Sequence, residues 1–119
     1  MSSPSRNDNL SVLRALSARL RHGPAVAAVR AGLVVLEDGV RARCPVGATH
    51  ELVDSIHLSG PVVDDQGVHG AVVVGSDHAL PEEYGTSTRA AHPFVRPTLD
   101  VDGPRAIQTM SNELKRAQL

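Results

Sequence analysis

A chain of 119 residues, 41% of them apolar, makes one folded domain with a modest core and excludes wholesale disorder. Twelve cations against thirteen carboxylates leave a formal charge of −1, which excludes the basic field of a sequence-independent nucleic-acid binder. Cys44 is the single cysteine, so an intrachain disulfide and a CxxC metal or redox motif are excluded as well. No apolar run approaches the roughly 20 residues that span a bilayer, and Met1 to Asp8 lacks the apolar stretch of a signal peptide. A soluble protein made in a cytoplasm is expected, with no membrane partner. Its small core favours self-association. Eleven of the twelve cations are arginine and Lys115 is the only lysine, which reads as GC-rich coding before it reads as a preference for bidentate contacts.

Residues 1–7 read as a disordered tail ahead of a single domain over 8–119. Asp8 or Asn9 is a candidate N-cap for a first helix, in which Leu10, Leu13, Leu16 and Leu20 recur at helical spacing until Gly23. Pro24 then opens a second helix, with Val26, Val29, Leu33, Leu36 and Val40 as its stripe, Gly39 as a weak point and Pro45 as its end. Residues 52–59 read as a strand with Ile56 and Leu58 on one face. Gly60-Pro61 bends or bulges it, and the turn Asp64-Asp65-Gln66-Gly67 leads into a return strand over Val68 to Val74. A third short strand fits His78 to Tyr84, interrupted by Pro81. A helical turn follows Pro93, and Asp102-Gly103-Pro104 starts a last helix over about 103–117, with Ile107, Met110 and Leu114 as its stripe. The fold class is therefore α+β: two N-terminal helices on a small antiparallel sheet built from a hairpin at 52–74, then a C-terminal helix.

Catalytic parts are missing from this pattern. The six histidines (22, 50, 57, 69, 78, 92) form no HxxxH or HExxH. His57 and His69 could face each other across the hairpin, but a zinc site needs about four convergent ligands, so the histidines read as surface groups. Asp64-Asp65 and Glu82-Glu83 read as solvated tips rather than catalytic pairs. Ser55 and Ser87 lack a nucleophile elbow, and no glycine-rich phosphate loop is present. No catalytic residue, metal or cofactor is expected.

The informative stretch is Glu83-Tyr84-Gly85-Thr86 through Pro93-Phe94-Val95-Arg96-Pro97-Thr98-Leu99. It holds the only tyrosine and the only phenylalanine, in a chain without tryptophan. Two prolines bracket Phe94 and stiffen it. An acidic residue, an aromatic, Gly-Thr, a small polar run and Pro-Phe-hydrophobic-Arg-Pro-x-Leu resemble the closing signature of a family of small neck proteins of long-tailed double-stranded DNA phages. These are the head–tail connector or tail-completion proteins, typified by a minor tail component of an HK-type lambdoid phage. A weaker likeness covers Pro45, Val46, Leu52, Ser55 and Ile56, where Thr49-His50 replaces the family's Thr-Gly turn.

The resemblance implies a structural virion protein and no enzyme. It would be a homo-oligomeric ring of about six or twelve copies between the DNA-filled head and the tail, meeting head-closure and tail-tube or terminator proteins. Genomic DNA would pass through without sequence-specific binding, beside acids at Asp64, Asp65, Glu82 and Glu83. The assembly site it implies is Glu83, Tyr84, Gly85, Thr86, Pro93, Phe94, Arg96 and Pro97, with Phe94 plugging a neighbour and Arg96 clamping a carboxylate or carbonyl. A tail terminator capping the tube is the nearest alternative. A small ligand-binding or enzymatic α+β domain is the alternative from another class.

Overall fold

Helix α1 (Arg6–Arg43) runs without a break through the expected stop at Gly23-Pro24. In this computed structural model the structure describes residues 6–47 and 50–117, with side chains at 9–14, 22–47 and 50–117. The rest of the chain is a four-residue helix α2 (Glu51–Asp54), strands β1 (Ile56–Asp64) and β2 (Gly67–Val74), a short helix α3 (Ala79–Tyr84) and a long helix α4 (Val95–Ala117). The class is α+β, with one two-stranded antiparallel sheet.

Several sequence expectations are corrected. The two N-terminal helices are one. Asp8 and Asn9 lie inside it rather than at its start, and Arg6 and Asn7 belong to it rather than to a tail; residues 1–5 of that expected tail lie outside the described residues. Residues 52–54 are helical, so β1 starts only at Ile56. The third strand at 78–84 is helix α3 instead, and Pro81 sits in its first turn, where a missing N–H leaves no bond broken. The turn after Pro93 and the helix after Gly103 are both α4, with Asp102 inside it. Both prolines deep inside helices, Pro24 and Pro104, follow glycines. A proline ring disfavours helix in the preceding residue through clashes with that residue's N–H and Cβ, and Gly23 and Gly103 lack the Cβ.

Two faces of α1, about a quarter-turn apart, pack on different partners. Leu33, Leu36 and Val40 face the sheet, and the Leu33 side chain lies over Gly70 of β2. Ala28, Gly32 and Gly39 face α4, which runs antiparallel and brings Thr98, Asp102, Ala106 and Met110 against them. A Cβ built on Gly32 would lie 2.6 Å from Met110 Cγ, and one on Gly39 would run into Asp102 Oδ2. Arg43 locks this crossing, donating to Asp102 Oδ2 at 2.6 Å and to Thr98 Oγ1 at 3.3 Å. Gly39→Ala should gain about 1 kcal/mol of helix propensity yet lose more to crowding, a net loss of about 1–3 kcal/mol in urea unfolding.

The sheet pairs Ile56 with Val74 and Leu58 with Val72, slips between Ser59 and Val62, and resumes with Val62 opposite His69. The slip holds Gly60, at φ +85°, and the cis Gly60–Pro61 bond. This register pairs His57 with Val73 and His69 with Val62, so the two histidines do not face each other. The core gathers Phe94, Ile56, Leu52, Val40 and Cys44, ringed by Val53, Val72, Val74, Ala79 and Val95. Arg41 ties the end of α1 to the sheet by donating to the Ile56 carbonyl at 2.8 Å.

The molecule is elongated, 69 × 35 × 22 Å, with a radius of gyration of 19.6 Å where a compact chain of this length has about 13.5 Å. The cause is α1. Gly39 lies opposite Asp102 and Gly32 opposite Met110, so α4 ends about level with Pro24. The 6–22 segment projects beyond it by about 25 Å. Asn9 to Arg14 are exposed along that overhang. No described helix is long and apolar enough to cross a membrane.

Candidate functional site

Glu83, one residue before the end of α3, turns its carboxylate onto the start of α4. Oε2 accepts the backbone N–H of Phe94 at 2.8 Å and of Val95 at 2.9 Å; Oε1 accepts the N–H of Arg96 at 3.0 Å and its Nε–H at 3.4 Å. The first N–H groups of a helix have no partner within it, and their end of the macrodipole favours an anion. One buried carboxylate meets both needs, across a gap of eleven to thirteen residues. Burial pushes the Glu83 carboxyl up; the three backbone bonds and the guanidinium outweigh it and hold the group below the usual carboxylate range. Pro97, in the first turn, removes an N–H that had no helical partner.

The loop between α3 and α4 is built on this anchor. Gly85 takes φ +76°, and a Cβ there would lie 2.8 Å from Ala91 N, so the position accepts little but glycine. Thr86 closes a small turn: its N–H donates to the Arg89 carbonyl at 2.9 Å, and its Oγ1 accepts the N–H groups of Thr88 and Arg89. The His92 N–H donates to the Glu82 carbonyl at 2.7 Å and seals the base. Outside, the Arg96 guanidinium stands 5.0 Å over the Tyr84 ring, which is 63% exposed.

The expected assembly residues therefore divide. Phe94 is 0% exposed and is the centre of the core, so it plugs this chain's own interior and no neighbour. Glu83 is 5% exposed, so it is not an acid facing a channel. Arg96 does clamp a carboxylate, that of Glu83 in its own chain. Tyr84, Thr86, Pro93 and Arg96 remain at the surface, while Gly85 and Pro97 are half-buried within the frame. Asp64 and Asp65 are exposed at the hairpin tip, away from this frame, with Asp64 accepting the Gln66 N–H at 2.8 Å and lying 3.4 Å from His69.

Beside the loop lies a cleft of about 390 Å³ holding Glu51, His78, Glu82, Arg89 and His92. Its side chains pair with one another: Glu51 lies 3.7 Å from His78, and Glu82 lies 3.7 Å from Arg89 and 3.5 Å from His92. Among the described residues no three metal-ligating side chains converge, and no buried side-chain polar atom lacks a hydrogen-bond partner. The Cys44 thiol is buried, and its pKa is pushed up by burial and by the charge of Glu82, away from nucleophilic use.

Sequence reasoning missed the node of Gly39, Arg43, Thr98 and Asp102. The seven-residue spacing of Gly32 and Gly39 was its one legible sign, since two turns of helix put both on one face. His50 takes φ +56° just before α2, a left-handed conformation uncommon outside glycine. Compared with family models, with curated proteins and with solved structures, the chain finds no match in any of the three.

Proposed function

We propose that the protein is a structural component of a long-tailed phage neck, a head–tail connector or tail-completion protein that assembles as a ring around the DNA channel. The observation that carries this reading is the frame over 83–97. Its signature residues act together: Glu83 caps α4, Gly85 permits the turn, Phe94 anchors the loop in the core, and Pro97 suits the first helical turn. A loop so heavily anchored from within is held rigid, as a joint that transmits force must be. The frame offers Tyr84, Arg96 and the polar loop at the surface. The two-stranded sheet adds unpaired edges that a neighbour can extend by strand addition. With Asp64 and Asp65 at its tip and a near-neutral charge overall, such a subunit lets DNA slide rather than holding it.

A cryo-EM reconstruction of the virion tests this directly: density for the chain belongs at the junction of capsid vertex and tail, and its absence there ends the reading. Tyr84→Ala gives a biochemical check. It should change stability by no more than about 1 kcal/mol, since an exposed cation–π contact is worth little more. Head–tail joining in an assembly extract should nevertheless fall sharply. Undiminished joining would remove Tyr84 from the interface.

A further inference from the structure

We propose that the overhanging start of α1 docks into an apolar groove on a second copy of this chain. The inference rests on shape and charge alone and not on the neck reading. The groove, of about 310 Å³, opens between α1, β2 and α4 and is lined by Leu33, Leu36, Val72, Val74, Val95 and Leu99. Leu99, on its rim, is 53% exposed. The overhang presents matching apolar groups, Leu10 at 48% and Leu13 at 60% exposure, and Leu16 and Leu20 continue their spacing in the sequence.

Charge selects the partner. The 6–22 segment carries four arginines and one aspartate, whereas the remainder from 23 onward carries eight cations and twelve carboxylates. A basic arm and an acidic body repel their own kind and attract each other. Asp100, next in sequence to Leu99 on the groove rim, is exposed. The arm cannot serve its own groove: Leu13 and Leu33 belong to one unbroken helix and are about 30 Å apart along it. On this proposal each copy gives an arm to one neighbour and receives one from another. Such a heterologous contact propagates into a closed ring or a filament.

Complementation between two variants tests this. Leu10→Gln with Leu13→Gln blocks the arm, and Leu99→Gln blocks the groove; all three sites are exposed and no charge changes. Mass is read by light scattering across a concentration series, with circular dichroism as the folding control. Wild type should associate, and more weakly at 0.5 M than at about 0.1 M salt. Each variant should associate about 30-fold less tightly, the scale of one lost anchor. Mixed together, the two variants should form a 1:1 dimer that grows no further, because one intact arm meets one intact groove. Wild type that stays monomeric up to its solubility limit, variants that assemble like wild type, or a mixture without the dimer each overturn the inference. Wild-type rings that persist in the arm variant sink arm exchange while leaving the neck reading in place. A chain that exchanges arms but is missing from the virion junction does the reverse.

Discussion

Phe94→Ala is expected to cost about 3–5 kcal/mol of folding stability, the range for emptying a fully buried aromatic site. For a domain of this size that lowers the melting midpoint by roughly 12–20 °C. Phe94 touches contributions from every part of the fold: Val40 and Cys44 at the end of α1, Leu52 of α2, Ile56 of β1. It is also the chain's only phenylalanine, and the one other ring, Tyr84, lies at the surface. No neighbouring aromatic can collapse into the space. The sequence motif reads naturally as a plug for a partner, and that reading predicts the opposite result, an intact fold with lost association. Calorimetry beside a mass measurement separates the two. A wild-type melting curve from Phe94→Ala would remove it from the core.

Glu83→Ala carries the second large effect. It strips three backbone N–H groups of their acceptor at the buried start of α4 and leaves the Arg96 Nε–H unpaired. Hydrogen bonds to a charged group are worth about 1.5–3 kcal/mol, so a loss of about 2–3 kcal/mol is expected at neutral pH. The sign of the pH dependence follows from the lowered carboxyl pKa. The folded state holds the charged form more tightly than the unfolded chain does. Its contribution is therefore full above the unfolded value of about 4.3 and fades as pH falls through the depressed folded value. Wild type should lose stability in acid along a limb that Glu83→Gln flattens. Urea midpoints between about pH 3 and 7 measure it, and parallel curves for the two proteins would assign the acid limb to other carboxylates.

The hairpin was legible because its turn chemistry is local: Asp64 to Gly67 reverses the chain whatever surrounds it, and the alternation at Ile56 and Leu58 gives the inner face. The breaks placed at Gly23-Pro24 and Asp102-Gly103-Pro104 are absent: a proline is ordinarily a stop, and a preceding glycine removes one part of the clash, that with the Cβ. Asp102 resembles a cap in sequence; only the tertiary structure shows that Arg43, 59 residues away, holds it. Within the candidate site the motif located the right stretch but not the right division of labour. A string of letters does not say which side chains point inward. Glu83 reads as one half of an acidic pair, and its bond to the start of α4 reaches eleven positions along the chain, beyond what local pattern can show.

The rod-like outline bears on how the protein behaves in a column. Its radius of gyration of 19.6 Å is that of a compact chain of about 300 residues. A lone copy will drag through a sizing matrix as though it were two or three globular ones. Early elution against globular standards is therefore the signature of a single extended subunit as much as of an oligomer.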